Sequence, residues 1–154
     1  MAIVRFSNSR YQSSTGLKEI IDYCVNEEKI TDENGKRYLS GVNCIGVDPF
    51  SEFMLTRKAY PSQNCNGQRD RYCYHYYQSF KPTDTQDRDL VHQIGIEFAS
   101  RAWPNAEVIV ATHLDKGHLH NHFVINNIDL ETGKRIRQTP STLKEIRPIS
   151  DEIC

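Results

Sequence analysis

A chain of 154 residues, 38% hydrophobic and 25% charged, suffices for one domain with a single buried core. Its net charge of −1 excludes a globally basic, nucleic-acid-coating composition, and no apolar run is long enough to span a bilayer. The five cysteines form no Cys-x-x-Cys pair; with no signal peptide at the start, they argue against a disulfide framework and for a reducing cytoplasm.

Ile3-Val-Arg-Phe6 predicts a short first strand. Ser13-Ser-Thr-Gly is helix-start chemistry, and Leu17, Ile20, Ile21 and Cys24 then repeat at helical spacing. Tyr23 falls beside that stripe rather than in it. Residues 27–41 are polar, with Asn34-Gly35 as a turn signal. Val42 to Val47 reads as a strand, and Asp48-Pro49 opens a helix running towards Tyr60-Pro61. Residues 62–71 form a polar loop. Tyr72 to Phe80 is an aromatic-rich strand. Thr83-Asp-Thr-Gln86 resembles a capping box ahead of a helix with the stripe Leu90, Val91, Ile94, Phe98 and Ala102. Pro104-Asn105 ends that helix. Thr132-Gly133 is a turn, and a weak helical pattern runs from Pro140 to Cys154. With no repeat or linker, 1–154 reads as one domain. Its end falls inside a helical pattern, as expected of an amino-terminal piece of a longer protein.

The densest chemistry is His113-Leu-Asp115-Lys-Gly-His118-Leu-His120-Asn-His122, which holds four of the six histidines. Neutral imidazole is the commonest side-chain metal ligand. Glu107 to His113 and His122 to Asn126 read as strands, joined by a short turn and therefore antiparallel. That pairing sets His113 opposite the start of the second strand, where His120 and His122 share one face. Three converging imidazoles with an open side describe a catalytic rather than a structural metal site. His118 is either close to the site or solvated. Asp115 is a partner for a ligand histidine, a ligand itself, or a turn residue.

The string Ala111-Thr-His-Leu-Asp-Lys-Gly-His-Leu-His-Asn-His-Phe-Val-Ile-Asn126 closely resembles the third motif of relaxases, mobilisation nucleases of the HUH endonuclease group. Gly16 to Lys29 looks like the first motif, and Tyr74-His-Tyr-Tyr-Gln-Ser79-Phe-Lys-Pro82 like the second. The resemblance implies an α+β fold with a central five-stranded antiparallel sheet, flanking helices, and the His pair at its centre. It implies one divalent ion, Mn²⁺ or Mg²⁺, on His113, His120 and His122; imidazole would also admit Zn²⁺, Co²⁺ or Ni²⁺. It makes Tyr23 the nucleophile that forms a covalent 5′-phosphotyrosyl link, with Asp115 or His118 as proton acceptor. Ser79 and Asn126, matched to the motifs, become contacts to single-stranded DNA of a transfer origin, and the locally clustered basic residues Lys81 and Lys116 are expected to join them. An accessory origin-binding protein and a coupling ATPase are implied as partners, and the bacterial cytoplasm as the location.

Rival readings are a rolling-circle replication initiator, or a metal- and DNA-binding module without cleavage. Tyr11 and the tyrosines from Tyr72 to Tyr77 are rival nucleophiles. The basic residues Arg69, Arg71, Lys81, Lys116, Lys134, Arg135 and Arg137 could track a phosphate backbone.

Overall fold

The computed structural model describes residues 2–7, 13–61, 71–115 and 117–154. Tyr11, Arg69 and Lys116 lie outside the described residues. Elements run β1 (Ile3–Phe6), α1 (Ser14–Cys24), α2 (Glu27–Ile30), β2 (Leu39–Val42), α3 (Pro49–Ala59), β3 (Cys73–Ser79), α4 (Arg88–Ala102), β4 (Val108–His113), β5 (His120–Asn126) and α5 (Pro140–Ile153). The strands form one antiparallel sheet in the order β1-β3-β5-β4-β2. The expected α+β architecture is therefore observed, and β5, which carries the His pair, is the central strand.

Side-chain alternation splits the sheet into two faces. On one, Cys73, Ile109, Ala111 and Val124 meet Leu17, Ile20, Ile21 and Cys24 of α1 and Phe53 of α3. Ser13 caps α1, accepting a hydrogen bond from the Gly16 amide. The predicted α1 stripe is buried in full, and each such aliphatic contributes about 1.5–3 kcal/mol. On the other face, Tyr74, Tyr76, Val108, Val110, Phe123 and Ile125 pack with Phe98 of α4 and Ile146 of α5.

A buried polar chain crosses this second face. Thr112 Oγ1 donates to Asn121 Oδ1 at 2.6 Å, so it must accept from His92 Nδ1, 2.7 Å away. His92 Nε2 then accepts from Ser40, also at 2.7 Å. Asn121 continues to Gln78 at 3.0 Å, and Gln78 to Ser150 at 2.7 Å. Gly95 is required here, because a Cβ on it would stand 2.7 Å from the Asn121 amide.

Three local expectations are corrected. The strand expected over Val42 to Val47 lies at Leu39–Val42. Asn43 turns the chain with φ 60°, and the Glu52 carboxylate accepts the amides of Ile45, Gly46 and Asp48, which makes the segment a loop. Helix α4 begins after Asp87, whose carboxylate accepts from Leu90 N, and not at Thr83–Gln86. Its buried face is Val91, His92, Gly95, Phe98 and Ala99, with Leu90 exposed. The short helix α2 was not expected. No helix of the described residues is long and apolar enough to cross a membrane.

Candidate active site

At one end of the first face, a cleft of about 460 Å³ is lined by Phe6, Ser7, Tyr23, His75, Tyr77, His113, His120 and His122. The ladder register explains the grouping. His113 pairs with His120, Tyr77 with His122, and Ser79 with His120. The antiparallel pairing inferred from the sequence thus sets His113 across from His120. Its ring packs against His122, with centroids 4.0 Å apart. His120 stands further off, 6.1 Å from His122 and 4.1 Å from the half-buried His118.

Tyr23, at the penultimate position of α1, reaches the same cleft. It is 42% exposed, and its ring stands edge-on to His113 at 5.6 Å and to His122 at 5.7 Å. Lys29 Nζ lies 4.0 Å above the Tyr23 ring centre, placing a cation beside its phenol. The helix stripe explains the position: Leu17, Ile21 and Cys24 anchor α1 in the core, and Tyr23 is rotated to its edge.

Among the described residues, the Cys24 carbonyl and His75 hold two of the histidines, and Asp115 holds none. His113 Nε2 donates to the Cys24 carbonyl at 2.9 Å, since a carbonyl only accepts. His122 Nδ1 lies 3.0 Å from His75 Nε2. Asp115 is exposed in the β4–β5 connection. Burial first, then the neighbouring His113, His75, His120 and Lys29, holds His122 well below the ordinary histidine range. Burial first and His113 second push His75 down to about 4. Burial lifts the Cys24 thiol above its usual value, with Cys73 adding to the effect and Lys29 opposing it.

His75 and His122 are therefore neutral imidazoles with lone pairs, the donor chemistry that a divalent ion needs. A second set of donor atoms, on Cys24, His75 and His122, lies within 4.8 Å of one another in the buried interior.

The remaining sequence-derived residues divide. Ser79 is half-buried beside His120, and Lys81 is exposed two residues further on, at the same end of the sheet. Asn126 is corrected: it is fully buried at the other end of β5, and its amide donates to the Phe53 carbonyl at 3.2 Å and the Glu107 carboxylate at 3.1 Å. It ties β5 to α3 and to the start of β4, so contact with DNA is closed to it. Lys134 and Arg135 also follow that far end, and Arg135 donates to the Tyr60 carbonyl. Tyr74 and Tyr76 are core residues whose hydroxyls donate to the Ile136 carbonyl and Gln138. Of the aromatic run, Tyr77 alone lines the cleft, its ring 6.0 Å from His122. His75 went unassigned in the sequence. Its signal was the alternation Cys73-x-His75-x-Tyr77-x-Ser79, which puts it on the face of Tyr77 and Ser79.

Residues 23–154 match the family model described as "Relaxase: MobA/VirD2-like, nuclease domain". The chain belongs to the relaxases. Within them it is similar to Protein rlx of Staphylococcus aureus, 36% identical over 148 residues, which is 96% of this chain and 41% of that protein. A second Staphylococcus aureus Protein rlx is 39% identical over 116 residues, 75% of this chain and 35% of the relative. The group II intron-interrupted relaxase LtrB of Lactococcus lactis subsp. cremoris (strain MG1363) is 38% identical over 66 residues, 40% of this chain and 11% of that protein. The chain spans well under half the length of these curated relatives.

Proposed function

We propose that this chain is the nuclease domain of a relaxase that nicks one DNA strand at a transfer origin and holds the cut end covalently. The observation that carries the reading is Tyr23 at the mouth of an imidazole-lined cleft, with its ring within 5.7 Å of both His113 and His122. A tyrosine in the core could not reach a phosphate, and one on an open surface would lack the site.

His113, His120 and His122 would hold one divalent ion, Mn²⁺ or Mg²⁺ by family, with Zn²⁺, Co²⁺ and Ni²⁺ also suited to imidazole. Such an ion supplies Lewis-acid polarisation of the scissile phosphate. Tyr23 Oη attacks phosphorus, forming the tyrosyl O–P bond as the P–O3′ bond breaks. The phenolic proton passes to a base, for which His118 and Asp115 are the candidates, and the departing 3′-oxygen takes up a proton. His118, beside His120, is the better placed of the two. Lys29, over the Tyr23 ring, would put positive charge beside an incoming phosphate. The 3′-hydroxyl can later attack the phosphotyrosine, so strand transfer needs no high-energy cofactor.

Ser79, Lys81 and Lys116 are proposed to steer single-stranded DNA into the cleft, in a bacterial cytoplasm. An accessory origin-binding protein and a coupling ATPase are proposed for the full-length protein. The test is a denaturing-gel assay for a protein–DNA adduct. Single-stranded oligonucleotides tiling the DNA beside the coding region are incubated with Mn²⁺ and wild type or Tyr23→Phe. An adduct in wild type alone is expected; an adduct of equal yield in Tyr23→Phe would move the nucleophile.

A further inference from the structure

His75 and His122 are diagonal neighbours across the β3–β5 ladder, since Tyr77 pairs with His122 and His75 with Val124. Their rings stack at 5.2 Å with 20° between planes, and His75 Nε2 lies 3.0 Å from His122 Nδ1. One nitrogen donates and the other accepts. Cys24 Sγ lies 4.0 Å from the same His75 nitrogen, and its S–H can donate to that nitrogen. Two groups that can donate thus converge on His75 Nε2, which suits that atom to accept. His122 then carries its single proton on Nδ1 and keeps its lone pair on Nε2. The opposite assignment puts the proton on Nε2 and closes that nitrogen to an ion.

We propose that His75 is a positioning residue that holds His122 in the Nδ1-protonated tautomer and so presents the Nε2 lone pair to a divalent ion. The inference rests on the three-histidine reading above. In that arrangement neutral His75 carries its own proton on Nδ1. His75 Nδ1 is buried with no hydrogen-bond partner among the described residues, a loss that an aliphatic or phenyl side chain in its place would avoid. Ligand histidines usually take a carboxylate, carbonyl or water on the second nitrogen. His113 follows that habit with the Cys24 carbonyl, whereas His122 uses an imidazole.

The test combines side-chain ¹H–¹⁵N spectra of the metal-free protein with calorimetric Mn²⁺ titration, for wild type, His75→Leu, His75→Gln, Cys24→Ala and His120→Ala. Wild type is expected to show His122 protonated at Nδ1. His75→Leu should mix the His122 tautomers and weaken Mn²⁺ binding by about 10- to 100-fold. His75→Gln, whose amide oxygen accepts, should keep most of the affinity. Cys24→Ala should change it little. A proton on His122 Nε2 in wild type, or unchanged Mn²⁺ affinity in His75→Leu, overturns the inference. The wild-type spectrum needs no substitution, so a His75→Leu variant that fails to fold leaves the test intact. A thiolate-to-cobalt charge-transfer band on loading with Co²⁺, lost in Cys24→Ala, also overturns it, because His75 would then be a ligand beside Cys24. His120→Ala separates the two readings. Unchanged Mn²⁺ affinity there sinks the three-histidine site, whereas loss there without an effect of His75→Leu sinks this inference alone.

Discussion

Tyr23 stands edge-on to His113, ring centroids 5.6 Å apart, and the carbonyl of the next residue, Cys24, holds His113 Nε2. The end of helix α1 therefore supplies both the phenol and the group that orients a histidine. Movement of one element would displace both.

Tyr77 tests this arrangement, because among the described residues it is the other tyrosine lining the cleft. Its ring neighbours are His75 at 6.3 Å and His122 at 6.0 Å. Tyr77→Phe is expected to retain covalent adduct formation at close to the wild-type yield, read on the same denaturing gel. Loss of adduct in Tyr77→Phe with retention in Tyr23→Phe would exchange their roles.

Each of His113→Ala, His120→Ala and His122→Ala should weaken divalent-ion binding by more than the roughly 10- to 100-fold typical of losing a residue that only supports a ligand. Isothermal titration with Mn²⁺ gives the three values. Equal affinity in any one of them would remove that residue from the ligand set. Asn126→Ala, far along β5, should leave ion affinity unchanged while lowering stability, since it strands the buried Glu107 carboxylate.

The polar chain behind the sheet predicts large costs for small changes. Thr112→Val leaves His92 Nδ1 without its acceptor and Asn121 Oδ1 without its donor. Urea denaturation should show a loss of about 1–3 kcal/mol for each stranded group. Gly95→Ala drives a methyl into the Asn121 amide and should cost about 1–3 kcal/mol. A neutral result for both would mean that the chain repacks freely.

Stability should also depend on pH in a defined window. Burial first, and Lys36 second, lower His92 to about 4 in the folded state, against 6.5 as the ordinary value. The folded protein binds fewer protons between those values, so stability is fully present above about pH 6.5 and falls as pH drops towards 4. His75 acts in the same direction. Denaturation midpoints from pH 7.5 to 4.5 should show the fall, and His92→Gln should reduce its slope. A midpoint that rises on acidification would contradict the burial of these rings as neutral groups.

Much of the site was legible along the chain. The six residues between His113 and His120 and the period of two on β5 follow from strand geometry, so the antiparallel pairing of the two strands and the shared face of His120 and His122 were legible in the spacing. The Ser13 cap and the Leu17–Cys24 stripe likewise oriented α1 and set Tyr23 at its edge. Local conformational preference, side-chain period and turn chemistry act over a few residues, and these features needed nothing longer.

Other features depend on contacts between distant segments. The Cys24 carbonyl meets a histidine 89 residues away, and His75 meets His122 across 47. No period links such pairs; the packing of α1 on the sheet and the order β3-β5-β4 bring them together. Packing likewise sent Tyr74 and Tyr76 into the core while leaving Tyr77 at the cleft, and it sealed Asn126 against α3. The sequence by itself determined which residue types share a face. Tertiary structure decided which of them are covered and which nitrogen of each histidine is engaged, because burial and hydrogen-bond partners come from elements far apart in the chain.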